Sequence, residues 1–126
     1  MNPTIRPLPD LAPTVASMLG LPAPSSASGA AIAEVVVSIP AAERVAVLVP
    51  DALGRHPLAL WAEEMPFLSG LHERRTMTLR SIMPSITPVN FAGIVSGADL
   101  SIHGIQRFTD GFRCETLFEV VRAHGG

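Results

Sequence analysis

Residues 44–49 read RVAVLV, and after Arg44 every position up to Val49 is apolar. A strand with one wet face alternates apolar and polar residues. A continuous β-branched run instead predicts a strand covered on both faces, as in a parallel sheet between layers of helix. Pro50-Asp51 and a loop containing Gly54 follow at its carboxyl end. Residues 57–73 have helical spacing interrupted at Pro66, with Leu58, Trp61, Phe67, Leu68 and Leu71 among the apolar positions. Thr76–Ile82 predicts a second strand, followed by a loop through Met83–Pro88. A helix then runs from about Pro88 to Ser96, with Thr87 as its N-cap, Pro88 in its first turn and Gly97 just beyond its end. A last helix covers about Glu115–Ala123. Strand and helix in alternation predict an α/β chain with a short, mainly parallel sheet flanked by helices.

Upstream of this core, Pro3, Pro7 and Pro9 make residues 1–9 an extended arm. Asp10 is placed to cap a helix whose Leu11, Val15, Met18 and Leu19 share a face, and Gly20 and Pro22 end it. Residues 22–29, rich in Pro, Ser and Ala, read as a flexible connection. Ala30–Val37 fits a short helix or a strand equally, and Pro40 closes it.

Charge is scarce for 126 residues. Charged side chains make up 16% of the chain and hydrophobic ones 48%, against roughly 25% charged in an average soluble domain. Such a composition excludes a disordered chain. Nine Arg and no Lys against eleven acids leave a net charge of -2, with no basic stripe to hold a nucleic-acid duplex. Cys114 stands alone, which excludes an internal disulfide and a Cys-rich metal centre. No apolar run approaches the roughly 18 residues of a membrane span. The apolar stretch Leu11–Leu21 after Arg6 has a superficial likeness to an export signal, but Pro7, Pro9, Asp10 and Pro13 interrupt that region, so the expected location is the cytoplasm. With mean hydropathy +0.37, some apolar surface is expected to pack against another copy of the chain or a missing part of a larger domain.

In open α/β sheets, ligands bind beyond the carboxyl ends of the strands. Asp51 and the Ser85–Thr87 loop answer that description. A carboxylate and a hydroxyl brought together there could share a divalent metal, which lowers the hydroxyl's pKa and makes it a nucleophile. The helix starting near Pro88 would direct its N–H groups at a bound phosphate. The alternative at both positions is plain turn and cap chemistry. Dinucleotide binding is disfavoured, since PDALGRHP lacks the G-x-G-x-x-G spacing.

Three stretches in order, VAVLVPDALG, MPFLSGL and MPSITPVNFAGIVSGADLSIHGI, resemble the alkaline phosphatase superfamily, and most nearly its nucleotide pyrophosphatase and type I phosphodiesterase branch. The resemblance spans residues 44–124. It implies a metal-dependent hydrolase of phosphate esters using two divalent ions, zinc first and manganese second. Asp51 matches the first metal-binding carboxylate. Thr87 matches the nucleophile that forms a covalent phospho-enzyme and also ligates metal, with Ser85 the lesser candidate. Asn90 matches a position near the phosphate that also serves as scaffold, and His103-Gly104 match a structural turn. His56, His72 and His124 match nothing. The N-terminal PDLAPTVASMLGLPAPSSASGAAI is similar to an element that many members carry near their C-terminal end.

Two departures stand against that pattern. An Asn that supports phosphate in the diesterase branch falls on Phe108 here, with Gln106 and Arg107 as neighbours. The family's remaining Asp and His ligands come from later strands of a much longer domain, whereas zinc needs three or four protein ligands. The expectation is therefore an N-terminal arm, short helix and linker over 1–43, and over 44–126 the N-terminal part of an alkaline-phosphatase-like catalytic domain, with a small phosphate ester as substrate. A phosphomutase is a near variant. The rival is a non-catalytic, truncated or split chain that acts by self-association or by docking on a partner.

Overall fold

The computed structural model describes residues 5–39 and 41–126; the start of the expected N-terminal arm and Pro40 lie outside them. The chain divides into two compact units. The larger joins Arg6–Ala46 to Leu79–Gly126, and the smaller is built on Val47–Thr78. Among the described residues the fold is mixed α/β, with short helices and one two-stranded parallel sheet.

In the larger unit a 3₁₀ turn at Leu8–Asp10 leads into α1, Leu11–Met18. Asp10 enters the helix already helical, at φ -65° and ψ -15°, so it lacks the extended backbone of a capping residue. Its side chain does not cap α1, contrary to the sequence expectation. Instead Asp10 Oδ1 accepts the Ala30 N–H at 2.9 Å. Thr14 Oγ1 donates to the Asp10 carbonyl at 2.6 Å and accepts the Ile32 N–H at 2.9 Å. Both side chains are buried. The ambiguous segment that follows is helical: α2 spans Ala33–Ser38.

α1 packs on α5, Thr87–Ser96. Their interface is made of small and β-branched residues, namely Ala12, Val15 and Ala16 against Val89 and Ala92. Ile82 also lies against α5, where a Cβ on Gly93 would collide with its Cδ1. α5 ends at Gly97, whose φ of +67° is left-handed. Any side chain there would also meet Pro13 Cδ at 2.9 Å and Ala27 Cβ at 3.0 Å. The Gly97 carbonyl accepts the N–H groups of Ser28 and Gly29 at 2.8 and 3.0 Å. The Ser25 N–H donates to Glu115 Oε2 at 2.7 Å. Residues 25–29, read from sequence as part of a flexible connection, are thus tied to both α5 and the C-terminal segment. α6, Leu100–His103, and α7, Leu117–Ala123, complete the unit. Thr116 and Glu119 form a reciprocal capping box at the start of α7.

The sheet differs from the expected one. β1, Arg6–Pro7, pairs in parallel with β2, Leu79–Arg80, in the register Arg6↔Leu79 and Pro7↔Arg80. β2 falls inside the expected Thr76–Ile82 strand, but its partner comes from the proline-rich arm. RVAVLV forms no strand. A strand exists only by pairing, and a doubly covered one also needs a layer on each face. The described residues provide neither for this run, and Leu48 is 86% exposed.

The smaller unit contains α3, Arg55–Leu60, and α4, Pro66–Arg74, separated by a turn as the Pro66 interruption predicts. Neither helix buries a residue.

Thr14→Val keeps the shape of the side chain but orphans the buried Ile32 N–H, so it is expected to cost about 1–3 kcal/mol. Urea unfolding of the variant checks this; an unchanged midpoint would show that the Thr14 bridge contributes nothing.

Candidate functional site

The segment that carries the sequence-derived nucleophile is built around the start of α5. The Ile86 N–H donates to the Pro84 carbonyl at 2.8 Å, a tight turn that aims the chain into the helix. Thr87 is the first helical residue and Ile86 the flanking one, so the start lies one residue earlier than the cap assignment expects. The Asn90 N–H then donates to the Ile86 carbonyl at 3.1 Å. The Asn90 side chain closes the loop from both ends: Oδ1 accepts the Ile82 N–H at 2.9 Å, and Nδ2 donates to the Ile86 carbonyl at 3.1 Å. Thr87 is half-buried, and Ser85 is exposed.

Asp51 belongs to the smaller unit and Thr87 to the larger one. Within its own unit Asp51 is exposed and Oδ1 accepts the Ala52 N–H at 3.0 Å, in a turn where Ala52 takes φ +57°. Among the described residues no group of three or more His, Cys, Asp or Glu side chains is placed to hold a metal ion. One carboxylate and one hydroxyl fall short of the three or four protein ligands that zinc takes. The described residues therefore do not by themselves fit the two-metal centre implied by the resemblance.

The histidine of the HGI stretch has a structural place. His103 is fully buried at the end of α6. Its Nδ1 accepts the Ile105 N–H at 3.0 Å, which puts the ring proton on Nε2. Its carbonyl accepts the Arg113 N–H at 3.3 Å, and Gly104 beside it takes φ +71°. Burial holds the His103 pKa below the ordinary value, with the Asp99 charge pulling the other way. His56 and His72 lie on the smaller unit's helices, and His124 follows α7; all three are exposed.

Beyond this loop, residues 104–113 form an open cavity of about 760 Å³ next to Pro84 and Ile86. Asp110 organises its rim. Oδ2 accepts the N–H groups of Gln106 and Arg107 at 2.9 and 2.8 Å, and these bonds hold its carboxyl below the usual carboxylate range. Sequence reading singled out Arg107 but missed Arg113, whose approach to Gly104 depends on the left-handed turn at the end of α6. Burial raises the Cys114 pKa despite a hydrogen bond with Ser96, so this thiol is not an activated nucleophile.

The chain matches no family model, no curated protein and no solved structure to a significant degree. No helix among the described residues is long and apolar enough to cross a membrane.

Because His103 is held neutral in the fold, the unfolded chain takes up the proton first as pH falls. Its contribution is complete above the ordinary histidine value of about 6.5 and is lost as pH drops from there toward the lower folded value. His103→Asn keeps an acceptor for the Ile105 N–H and removes this titration. Between pH 8 and 5 the urea midpoint of the natural chain should fall more than that of the variant; parallel curves would refute the assignment.

Proposed function

We propose that the chain carries the nucleophile-bearing part of a metal-dependent phosphate-ester hydrolase with an alkaline-phosphatase-like core. Thr87 is the residue that takes the phosphoryl group, and Asp51 is one metal-holding carboxylate. The observation that carries the reading is the loop-to-helix junction at residues 82–90. There a tight turn delivers Thr87 to the first position of a ten-residue helix, and Asn90 locks the turn against that helix by two side-chain hydrogen bonds. A nucleophile needs such a fixed backbone, because attack on phosphorus depends on position to a fraction of an ångström. The helix start also favours negative charge. The ordered motifs from Asp51 to Ile105 support the same reading. The remaining metal ligands come from polypeptide other than the described residues, either further chain or a partner.

Hydrolysis of p-nitrophenyl phosphate and its bis-ester, with zinc or manganese added and the polypeptide that supplies the remaining ligands present, tests the proposal. Release of p-nitrophenol should stop on chelation, and Thr87→Ala should lower the rate by about 10³-fold or more, as loss of a nucleophile does. Full activity in Thr87→Ala would remove Thr87 from the role.

A second reading rests on a different observation. All five phenylalanines and the single tryptophan are exposed, Phe108 by 82% and Phe67 by 73%. Among the described residues the buried hydrophobic side chains other than proline are Ala, Val and Ile. Surfaces of this kind mark association, so a non-catalytic chain that works by self-association or by docking is the alternative. It predicts no metal-dependent hydrolysis and a sedimentation coefficient that rises with concentration; a monomer at all concentrations counts against self-association.

A further inference from the structure

The cavity beside the Thr87 loop is lined by Pro84, Ile86, Gly104, Arg107, Asp110 and Arg113, among others. Two arginines and one carboxylate therefore line the same cavity. That carboxylate is already engaged, since Asp110 Oδ2 accepts two backbone N–H groups and Oδ1 lies 3.5 Å from Arg107 Nε. Among the described residues no hydrogen bond or ion pair engages the Arg113 guanidinium.

The Arg113 backbone is tied down, and its solvent-exposed side chain packs on a glycine. Its backbone N–H is bonded to the carbonyl of buried His103. Its side chain lies flat over Gly104, where a Cβ would stand 2.7 Å from Cδ, 2.8 Å from Nε and 3.2 Å from Cζ. Gly104 is left-handed as well, so glycine both makes the turn and leaves room for the arginine. A cation fixed against backbone beside a cavity loses less entropy on binding an anion than a freely moving one.

Resting on the Thr87 reading for its place beside the reacting phosphate, we propose that this cavity is an anion subsite. It selects phosphate esters whose alcohol carries a second negative group, a carboxylate or another phosphate, which pairs with Arg113 with Arg107 alongside. An apolar groove of about 250 Å³ that includes Phe91, Phe108 and Phe112 shares Arg107 and Asp110 with the cavity, so an aryl ester is a suitable probe.

The test compares 4-carboxyphenyl phosphate with phenyl phosphate on the whole chain, first as Thr87→Ala for binding and then as the natural chain for turnover. In Thr87→Ala the carboxylated ester should bind about tenfold more tightly, the scale of one charge-assisted pair. Adding Arg113→Gln should bring that ratio to about one, as one lost charge pair requires. Adding Gly104→Ala instead, which keeps the charge but displaces the guanidinium, should lower it as well, and circular dichroism shows whether each variant keeps its helices. In turnover, measured with the polypeptide that supplies the remaining metal ligands, kcat/KM should show the same preference and the same dependence on Arg113. Equal binding of the two esters, or a preference that survives Arg113→Gln, overturns the subsite. Arg113-dependent binding without any hydrolysis, once that polypeptide is present, would sink the hydrolase reading and leave the anion subsite standing.

Discussion

The larger unit depends on a close approach that only glycine permits. Where α5 ends, Gly97 turns left-handed beneath Pro13 and Ala27, and its carbonyl receives two N–H groups from the 28–29 backbone. That corner joins the N-terminal segment to the segment that carries Thr87. The hydrogen bonds running from Asp10 and Thr14 to Ala30 and Ile32 extend the same junction into the buried layer. Asp10, Thr14 and Ile32 are buried, so leaving one of their polar groups unpaired costs its desolvation. The helix that begins at Thr87 packs on this scaffold along α1.

The distribution of side-chain size tells a second story. A core of Ala, Val and Ile packs closely between α1 and α5 but removes little apolar area from water. The larger apolar groups, Trp61, Phe67 and Phe118 among them, remain at the surface. In the smaller unit no helical residue is buried at all. Low charge and exposed aromatic rings have one physical consequence, since both favour covering these faces with further polypeptide. The hydrolase reading and the association reading share that need, and they differ in whether the covering polypeptide brings metal ligands.

Local signals carried much of the helical pattern. Pro66 separates α3 from α4, Pro88 and Gly97 bracket α5, and the helix that begins after Thr116 lies within the expected Glu115–Ala123. These features are legible because a cap, a proline or a left-handed glycine acts within a few residues of itself. Asp10 shows the boundary of that rule. Its type and position suit a helix cap, yet a distant N–H at Ala30 and an incoming 3₁₀ turn assign it another partner. Of the candidate site, sequence located the loop and the helix of Thr87 and Asn90. It did not show the lock that Asn90 places on Ile82, nor the seat of Arg113 on Gly104.

By itself, then, the sequence determined the helix breaks at Pro66 and Gly97, the scarcity of charge, and the positions of Asp51, Thr87 and His103 along the chain. Tertiary structure alone decided which segments pair. RVAVLV has the composition of a buried strand but no strand partner among the described residues, whereas the two-residue stretch Arg6–Pro7, with no strand signal, pairs with Leu79–Arg80. The physical reason is that a helix satisfies its backbone within itself, whereas a strand must find its hydrogen bonds elsewhere in the molecule.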